Sequence, residues 1–279
     1  IPLIHQPDKL VLLGDSKQLE SFANKKVFKN HPMPFRSLYK KLMKKRVPSQ
    51  SLNVQFRMNP SILEFPNSEF YNDGIRTAPN VEANSIVDLP FIKNPVPNIL
   101  FDNVVDGKEK RKKDGSFFNN EECFEVLKLV SNLKICQIPG KEVGVTSSSF
   151  LQVQKLNSQL SKLKYKGLKV STIDNFQGEE RDYIIISLVR TTGMNDEEFL
   201  FPPEKNPLNV ALTRARKGLF VVGKYSTFSN RTVNKNTHLF NLCSFCQEKR
   251  SIVENEKVER LKHFVQKKTT RKVKIEMRK

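Results

Sequence analysis

The chain has 279 residues, with 48 Lys plus Arg against 29 Asp plus Glu, so its net charge is +19 at pH 7. This length suffices for one large α/β domain or two small ones, and the basic surplus favours a polyanionic partner over a merely basic, inert surface. No uninterrupted apolar run approaches membrane-spanning length. The four cysteines are too few and too scattered for a disulfide framework, which fits a reducing compartment.

In chain order, the first predicted element is a buried parallel strand over residues 9–13, which ends at a Gly-Asp turn. An exposed amphipathic helix is expected over residues 36–46. A further helix is predicted to begin after Asn59-Pro60, because Pro is favoured in the first turn of a helix.

Residues 73–118 are rich in Pro, Asn, Gly and charged side chains. We interpret them as long surface connections, with one strand candidate near residues 99–101. The basic run at 108–113 is expected to be their most exposed part.

From residue 119 onward, strands alternate with helices. The predicted elements are helix 119–133, strand 142–146, helix 150–163, strand 168–172, strand 183–189, helix 207–215, strand 219–222 and helix 237–247. This alternation predicts an α/β fold, with a parallel sheet covered by helices on both faces. The basic tail at 266–279 lacks a clear apolar period and is expected to be disordered or an extension.

Two early segments carry candidate phosphate-binding groups. Residues 12–19 place Gly14, Asp15 and Gln18 after the predicted strand, where ligands of open α/β sheets bind, and Gln18 could orient water or contact a terminal phosphate. The second segment places Arg57 just before a helix, and a planar guanidinium can hold phosphate oxygens at two points. Taken alone, a Gly-Asp turn is commonplace and a single Arg is more often a surface ion-pair partner.

Two later segments add a possible nucleotide edge. In residues 170–180, Gly178 would let the backbone approach a ligand closely, and a carboxylate such as Glu180 could accept hydrogen bonds from ribose hydroxyls. Residues 206–216 are predicted to be helical, with Arg214 free to point into a cleft. The alternatives are ordinary solvated acids and a basic amphipathic helix.

In this order, the four segments resemble those of superfamily 1 helicases of the nonsense-mediated-decay and senataxin type. The most specific parts are the Thr-Ile-Asp-x-Phe-Gln-Gly-x-Glu run from Thr172 and the Asn-Val-Ala-Leu-Thr-Arg-Ala-Arg run from Asn209. The resemblance covers roughly residues 1–255 and implies a RecA-like P-loop NTPase fold. Its implied domains are the end of a first motor domain at 1–30, a second motor domain at 31–255 and a basic extension at 256–279.

The resemblance also implies roles for single side chains. It makes Gln18 the sensor of the γ-phosphate, and it makes Arg57 and Arg214 the arginines that neutralise charge developing during hydrolysis. Glu180 is similar to the family's ribose-binding acid, and Phe56 stands where an aromatic ring packs on the base. The other implied nucleotide-binding residues are Gly14, Asp15, Gln177 and Gly178, and those implied for the nucleic-acid track are Ser147, Ser148, Gln152 and Thr172.

Two features depart from the family pattern. Ser147-Ser148-Ser149 stands where the family shows Thr-Pro-Tyr, so hydroxyls remain but the aromatic is lost, which predicts a weaker grip on the strand. The sequence also contains neither a Gly-x-x-x-x-Gly-Lys-Thr loop nor an Asp-Glu-Ala-type metal motif. The implied cofactors, ATP and Mg²⁺, are therefore expected to be held together with a preceding first RecA-like domain, and this segment alone should hydrolyse essentially no ATP.

The resulting hypothesis is an ATP-dependent RNA or DNA helicase that moves 5′ to 3′ along single-stranded nucleic acid, with RNA slightly favoured, in the nucleus or cytoplasm. Two alternatives stay open: a catalytically silent nucleic-acid-binding scaffold, and a DNA-repair helicase that carries a nuclease. Cys243 and Cys246 have the spacing of a zinc-binding pair but lack a second pair, so we expect them to pack in the core. The four histidines are expected to be solvated.

Overall fold

A computed structural model describes residues 8–19, 38–83, 89–91, 98–192, 207–230 and 237–254. In these ranges the α-helices are Leu38–Lys44 (α1), Pro60–Tyr71 (α2), Pro79–Ala83 (α3), Asn120–Ile135 (α4), Phe150–Leu160 (α5), Ile173–Phe176 (α6), Pro207–Leu212 (α7), Tyr225–Phe228 (α8) and His238–Glu248 (α9), and Gly140–Glu142 and Ser161–Leu163 form 3-10 helices. The strands are Val54–Gln55 (β1), Arg76–Thr77 (β2), Ile99–Asn103 (β3), Glu109–Arg111 (β4), Phe117–Asn119 (β5), Val143–Ser147 (β6), Lys169–Thr172 (β7), Arg181–Ser187 (β8), Ala215–Gly223 (β9) and Ile252–Glu254 (β10).

Six of these strands form one parallel sheet in the order β10-β3-β9-β8-β6-β7. The apolar runs 183–186 in β8 and 219–222 in β9 are buried along their whole length, as expected for strands covered on both faces. Ile185 of β8 is in register with Val145 of β6 on one side and with Phe220 of β9 on the other. The predicted parallel sheet is confirmed.

Helices cover both faces of this sheet. One core cluster includes Ile62 from α2 and Leu242 from α9, and the cluster on the other face includes Val126 from α4 and Leu156 from α5. The start of α2 is also as predicted, because Pro60 occupies its first turn and the Asn59 side chain caps it by accepting from the Ser61 backbone nitrogen. The predicted α/β fold is therefore confirmed in both its sheet and its layers.

Residues 9–13 differ from the prediction, because they form no strand. Val11 is 81% exposed and Leu13 is 89% exposed. A buried parallel strand needs neighbours that satisfy its backbone donors and acceptors. No strand in the described ranges pairs with this segment, so the predicted buried strand is wrong.

Two other predicted boundaries are corrected. The helix predicted over 207–215 ends at Leu212, because the carbonyl of Arg214 accepts from the Arg181 backbone nitrogen and Ala215 already begins β9. The described parts of residues 73–118 hold more structure than expected. They contain β2, α3, the fully buried strand β3 and the antiparallel pair β4–β5 in addition to loops.

Some predictions fall on parts of the chain that are not described. The predicted domain boundaries at 30–31 and 255–256 and the basic tail at 266–279 lie outside the described residues. Among the helices that the structure does describe, none is both long and apolar enough to cross a membrane.

Candidate functional site

The four segments singled out in the sequence meet at the amino ends of β8 and β9. There the Nη1 of Arg57 donates to the carbonyl oxygen of Thr213 at 2.9 Å, and its Nε forms an ion pair with Glu180. The Nη2 of Arg214 lies 3.3 Å from the Oε1 of Gln18, which is 196 positions away in the chain. Widely separated motifs thus form one cluster, which we call the arginine cluster: Gln18, Arg57, Glu180 and Arg214.

Arg214 is the buried centre of the arginine cluster. The residue is 2% exposed, and its Nε donates to the carbonyl oxygen of Val210 at 2.8 Å while its Nη2 donates to the Thr213 hydroxyl at 3.1 Å. Burial lowers the pKa of Arg214 most and the positive charge of Arg57 contributes second, so that the pKa is about 10. Two guanidinium groups near each other, one of them buried, favour an anionic ligand, because an anion relieves their repulsion.

Glu180 balances the cationic side of the cluster. One carboxylate oxygen pairs with Arg57, and the other accepts from the Nη1 of Arg216 at 3.1 Å. Burial acts to raise the pKa of Glu180, but the hydrogen bonds and charges of the two arginines outweigh it, and the pKa lies below the usual value. The side chains of Arg57 and Glu180 are 32% and 39% exposed, so a ligand can reach this pair from solvent.

Polar side chains of α2 and α7 hold the Gly-Asp-x-x-Gln loop by hydrogen bonds. The hydroxyl of Tyr71 donates to the Oδ2 of Asp15 at 2.7 Å and accepts from the Nδ2 of Asn209 at 2.9 Å. Asn209 also donates to the carbonyl oxygen of Lys17 at 2.7 Å, and Asp15 accepts from the Nε2 of Gln18 at 2.9 Å. Burial raises the pKa of Tyr71, so the phenol stays protonated and can donate. Motif reasoning did not assign Tyr71 or Asn209 to the site.

Comparison with known proteins identifies the family of the chain. The chain matches the AAA domain family model over residues 35–226. It is 34% identical to DNA polymerase alpha-associated DNA helicase A of Saccharomyces cerevisiae, over 89% of this chain and 39% of that protein. It is 31% identical to ATP-dependent helicase upf1 of Schizosaccharomyces pombe, over 91% of this chain and 27% of that protein. It is also 31% identical to probable helicase senataxin of Homo sapiens, over 90% of this chain and 10% of that protein.

The chain belongs to the superfamily 1 helicases of the nonsense-mediated-decay and senataxin type. It spans 39% or less of the length of these relatives. The family assignment confirms the resemblance drawn from the four motifs and their order.

The other helicase positions predicted to contact nucleotide lie at an open edge. Phe56 is 71% exposed, and Gln177 and Gly178 are exposed just after α6. Gly178 has a φ of +84°, which favours glycine, although a Cβ added there would meet nothing within 4 Å. At Gly14 the lack of room favours glycine, because an added Cβ would lie 3.2 Å from the ring of Tyr39. Nucleotide contacts by these residues stay predictions.

The residues predicted for the nucleic-acid track lie at the opposite end of the sheet, where β6, β7 and β8 end. Thr172, the last residue of β7, is partly exposed there. Ser148 is also partly exposed, although its hydroxyl oxygen is buried without a hydrogen-bond partner among the described residues. Strand contact by these two residues stays a prediction.

Ser147 and Gln152 are placed differently from that prediction, because both are fully buried. The Ser147 hydroxyl donates to the carbonyl oxygen of Ser187 at 2.8 Å. The Nε2 of Gln152 donates to the Ser187 hydroxyl at 2.8 Å, and its Oε1 accepts from the Asn119 backbone nitrogen at 2.9 Å. Glu122, which motif reasoning missed, completes this network by accepting from the Ser187 hydroxyl at 2.6 Å. The structure therefore gives Ser147 and Gln152 a supporting role in place of the direct contact predicted for them.

Cys243, Cys246 and His238 lie in packed surroundings. Cys243 and Cys246 are buried in the core on α9, and burial raises the pKa of the Cys246 thiol to about 11. In the part of the chain that is described, no group of three or more His, Cys, Asp or Glu side chains could hold a metal ion. His238 was expected to be solvated, but its Nδ1 lies 2.5 Å from the Oε1 of Glu69 and its ring packs on Phe70.

Proposed function

We propose that this chain forms the second RecA-like half of an ATP-dependent helicase motor, and that the arginine cluster is its share of the ATP site. The observation that carries the proposal is the convergence of Gln18, Arg57, Glu180 and Arg214 at one end of the sheet. A structural ion pair needs one cation and one anion. Glu180 pairs with Arg57, but the described partners of Arg214 are carbonyl, amide and hydroxyl oxygens, and this second guanidinium suits the charge of a polyphosphate.

Each member of the cluster has a role in this proposal. Arg57 and Arg214 would neutralise charge on the transferred phosphoryl group, and Gln18 would orient water or the terminal phosphate. Glu180 would accept hydrogen bonds from ribose hydroxyls. Such a bond would replace part of the Arg57–Glu180 ion pair and release Arg57 toward the phosphates, since both side chains are partly exposed. The exposed ring of Phe56 would pack against the base.

The chain's own residues fit ATP and Mg²⁺ only in part. The cationic cluster suits the phosphates, but the sequence contains neither a Gly-x-x-x-x-Gly-Lys-Thr loop nor an Asp-Glu-Ala-type motif, and no acidic metal-binding group is present among the described residues. We therefore assign the phosphate loop and the Mg²⁺ ligands to a first RecA-like domain. ATP bound between the two domains would close them, and hydrolysis would let them open.

The proposed partner is single-stranded nucleic acid at the other end of the sheet, with RNA slightly favoured. Thr172 and Ser148 are the contacts proposed there from the family pattern. Such a track grips the phosphate backbone and does not read bases. We also propose that the motor moves 5′ to 3′ along the strand and that the protein is located in the nucleus or cytoplasm.

The test uses Arg214→Ala and Arg57→Ala in a form of the protein that includes the phosphate-loop domain. We expect each change to lower the kcat of strand-stimulated ATP hydrolysis by about 10³-fold or more, because charge stabilisation by such arginines is worth about 10³–10⁵ in rate. Affinity for a single-stranded oligonucleotide, measured by fluorescence anisotropy without nucleotide, should be nearly unchanged.

Arg76→Ala is the matched control, because Arg76 is an exposed arginine on β2. Its ATP turnover should equal that of the wild type. Strand binding lost together with turnover in Arg214→Ala would place Arg214 on the track and not in the ATP site. Full turnover in both arginine variants would show that the arginine cluster is not part of the ATP site, whereas a wild-type form without turnover would favour the catalytically silent scaffold.

A further inference from the structure

A hairpin with a strongly basic surface stands over the carboxyl ends of the sheet strands. We call residues 108–119, which contain β4, β5 and the turn between them, the basic hairpin. Its turn is closed by a bond from the Lys112 backbone nitrogen to the Ser116 carbonyl oxygen at 2.9 Å, and Gly115 supplies the positive φ of +85°. The four lysines of this hairpin are exposed: Lys108, Lys110, Lys112 and Lys113.

The basic hairpin is held firmly against the end of β8. Its one glutamate, Glu109, pairs with the Nε of Arg190 at 2.9 Å, with these side chains 11% and 2% exposed. Glu109 also accepts from the Thr192 hydroxyl at 2.6 Å, and the Arg190 guanidinium lies 4.2 Å from the centre of the Phe117 ring. Arg190 therefore neutralises Glu109 inside the protein, and the exposed surface of the hairpin carries four lysines against one acid, Asp114, which accepts from Ser116 in the turn.

An exposed aromatic ring lies next to this basic surface. Phe150, the first residue of α5, is 66% exposed. The residue before it, Ser149, donates its hydroxyl to the carbonyl oxygen of Phe117, so the start of α5 is bonded directly to the hairpin. Lys155, farther along α5, lies 4.1 Å above the ring of Phe118 on the same hairpin. The motif pattern predicts that the aromatic of this region is lost, whereas the structure presents one a single position later.

We propose that Phe150 and the basic hairpin form a binding surface for single-stranded nucleic acid, in which a base stacks on the Phe150 ring while Lys110 and Lys112 contact phosphates. Aromatic rings beside a cationic surface are the features by which proteins hold single strands without reading sequence. The surface rests on the proposed helicase function and extends its track from Thr172 across the carboxyl end of β6. It also compensates for the three serines that replace the family's Thr-Pro-Tyr.

The experiment measures binding of a fluorescein-labelled 15-nucleotide single strand to the 279-residue chain by anisotropy at several salt concentrations. Phe150→Ala should weaken binding by about 5-fold to 100-fold, since stacking on an aromatic ring contributes at this level, and Phe150→Trp should restore it. Lys110→Ala with Lys112→Ala should reduce the slope of log affinity against log salt by about 1.4, because each lost single-strand phosphate contact removes about 0.7.

Matched controls come from the other end of the sheet. Ile135→Ala removes an equally exposed apolar side chain, which is 75% exposed at the end of α4. Lys141→Ala with Lys166→Ala removes two exposed charges beside the starts of β6 and β7. Both controls should bind almost as the wild type does, and circular dichroism should show the same fold in every variant.

The outcomes separate this surface from the function on which it rests. If Phe150→Ala and the double lysine variant both bind the single strand as tightly as the wild type and the controls do, the surface is overturned and the helicase proposal still stands. A wild-type chain that binds no single strand at low salt would also overturn the surface, whereas the helicase proposal fails if the form with the phosphate-loop domain shows no strand-stimulated ATP hydrolysis. Loss in Phe150→Ala without rescue by Phe150→Trp would also contradict stacking.

Discussion

Among single residues, the orientation of one amide decides what the buried arginine faces. Gln18 has a donor and an acceptor at the end of its side chain, and the two are not interchangeable. Its Nε2 donates to Asp15 at 2.9 Å, so its Oε1 is the atom that lies 3.3 Å from Arg214. Asp15 is in turn held by the hydroxyl of Tyr71 at 2.7 Å. One phenol therefore positions the amide without touching the guanidinium.

Tyr71→Phe removes only this hydroxyl. We expect the free energy of unfolding to fall by about 1–2 kcal/mol, because Asp15 and Asn209 each lose a hydrogen-bond partner in a part-buried site. The amide of Lys17 should exchange with solvent faster, since it donates to the Asp15 carboxylate at 2.8 Å. Urea denaturation and hydrogen exchange measure the two effects.

Tyr225→Phe is the control for this prediction. The Tyr225 hydroxyl bonds to Gln247 at an exposed position at 3.0 Å, so its loss should change stability much less. Unchanged exchange at Lys17 in Tyr71→Phe would show that the loop is held without the phenol.

Among the secondary-structure elements, β3 carries a buried acid next to α4. Asp102 is 4% exposed. Burial and, second, the charge of Glu125 raise its pKa to about 7, against the opposite effect of Lys128. The folded chain therefore binds this proton more tightly than the unfolded chain, in which the pKa is near 3.8.

The raised pKa of Asp102 makes the folded chain less stable as the pH rises. The contribution of Asp102 to stability is fully present below about pH 4 and is lost as the pH rises through about 7. Asp102→Asn removes the titration, so its stability should fall less than that of the wild type between pH 4 and pH 8, by a difference on the order of 4 kcal/mol. Urea denaturation across this range measures it. Equal pH slopes for the variant and the wild type would mean that Asp102 is ionised in the folded chain at every pH tested.

The sheet was predictable from the sequence where burial alone determines a strand. Runs such as 183–186 are continuously apolar because they are covered on both faces, and this pattern predicts a central parallel strand without knowledge of its neighbours. The apolar run at 9–13 has the same local pattern but no strand partner among the described residues. Local pattern therefore predicts the tendency to form a strand, whereas pairing depends on the rest of the fold.

The arginine cluster was predictable to the same limited extent. Arg214 stands in one of the two most specific motifs, whereas Arg57 was marked only because its segment follows the family pattern together with the others. Tyr71 could not be found in this way, because the partner of a single hydroxyl depends on how α2 meets the Gly-Asp loop in space. Gln152 was misassigned for a related reason, since its motif position does not show that the side chain is fully buried.

In the molecule as a whole, the two ends of one parallel sheet present different chemistry. The arginine cluster lies at the amino ends of β8 and β9, and the basic hairpin lies at the carboxyl end of β8. The exposed lysines of the basic hairpin carry part of the net charge of +19, whereas Glu180 offsets part of the charge of the arginine cluster. Under the proposed function, ATP and the nucleic-acid strand bind at opposite ends of the same rigid layer.

The most direct test of this account measures steady-state ATP turnover by the 279-residue chain and by a form that also carries the phosphate-loop domain, each with and without a single strand. The account predicts no turnover above background for the chain alone, because the arginine cluster has no phosphate loop opposite it. The complete form should turn over ATP, and Arg214→Ala should abolish that turnover. Turnover by the chain alone at about 1 s⁻¹ or faster, the range of ordinary enzymes, would contradict the account.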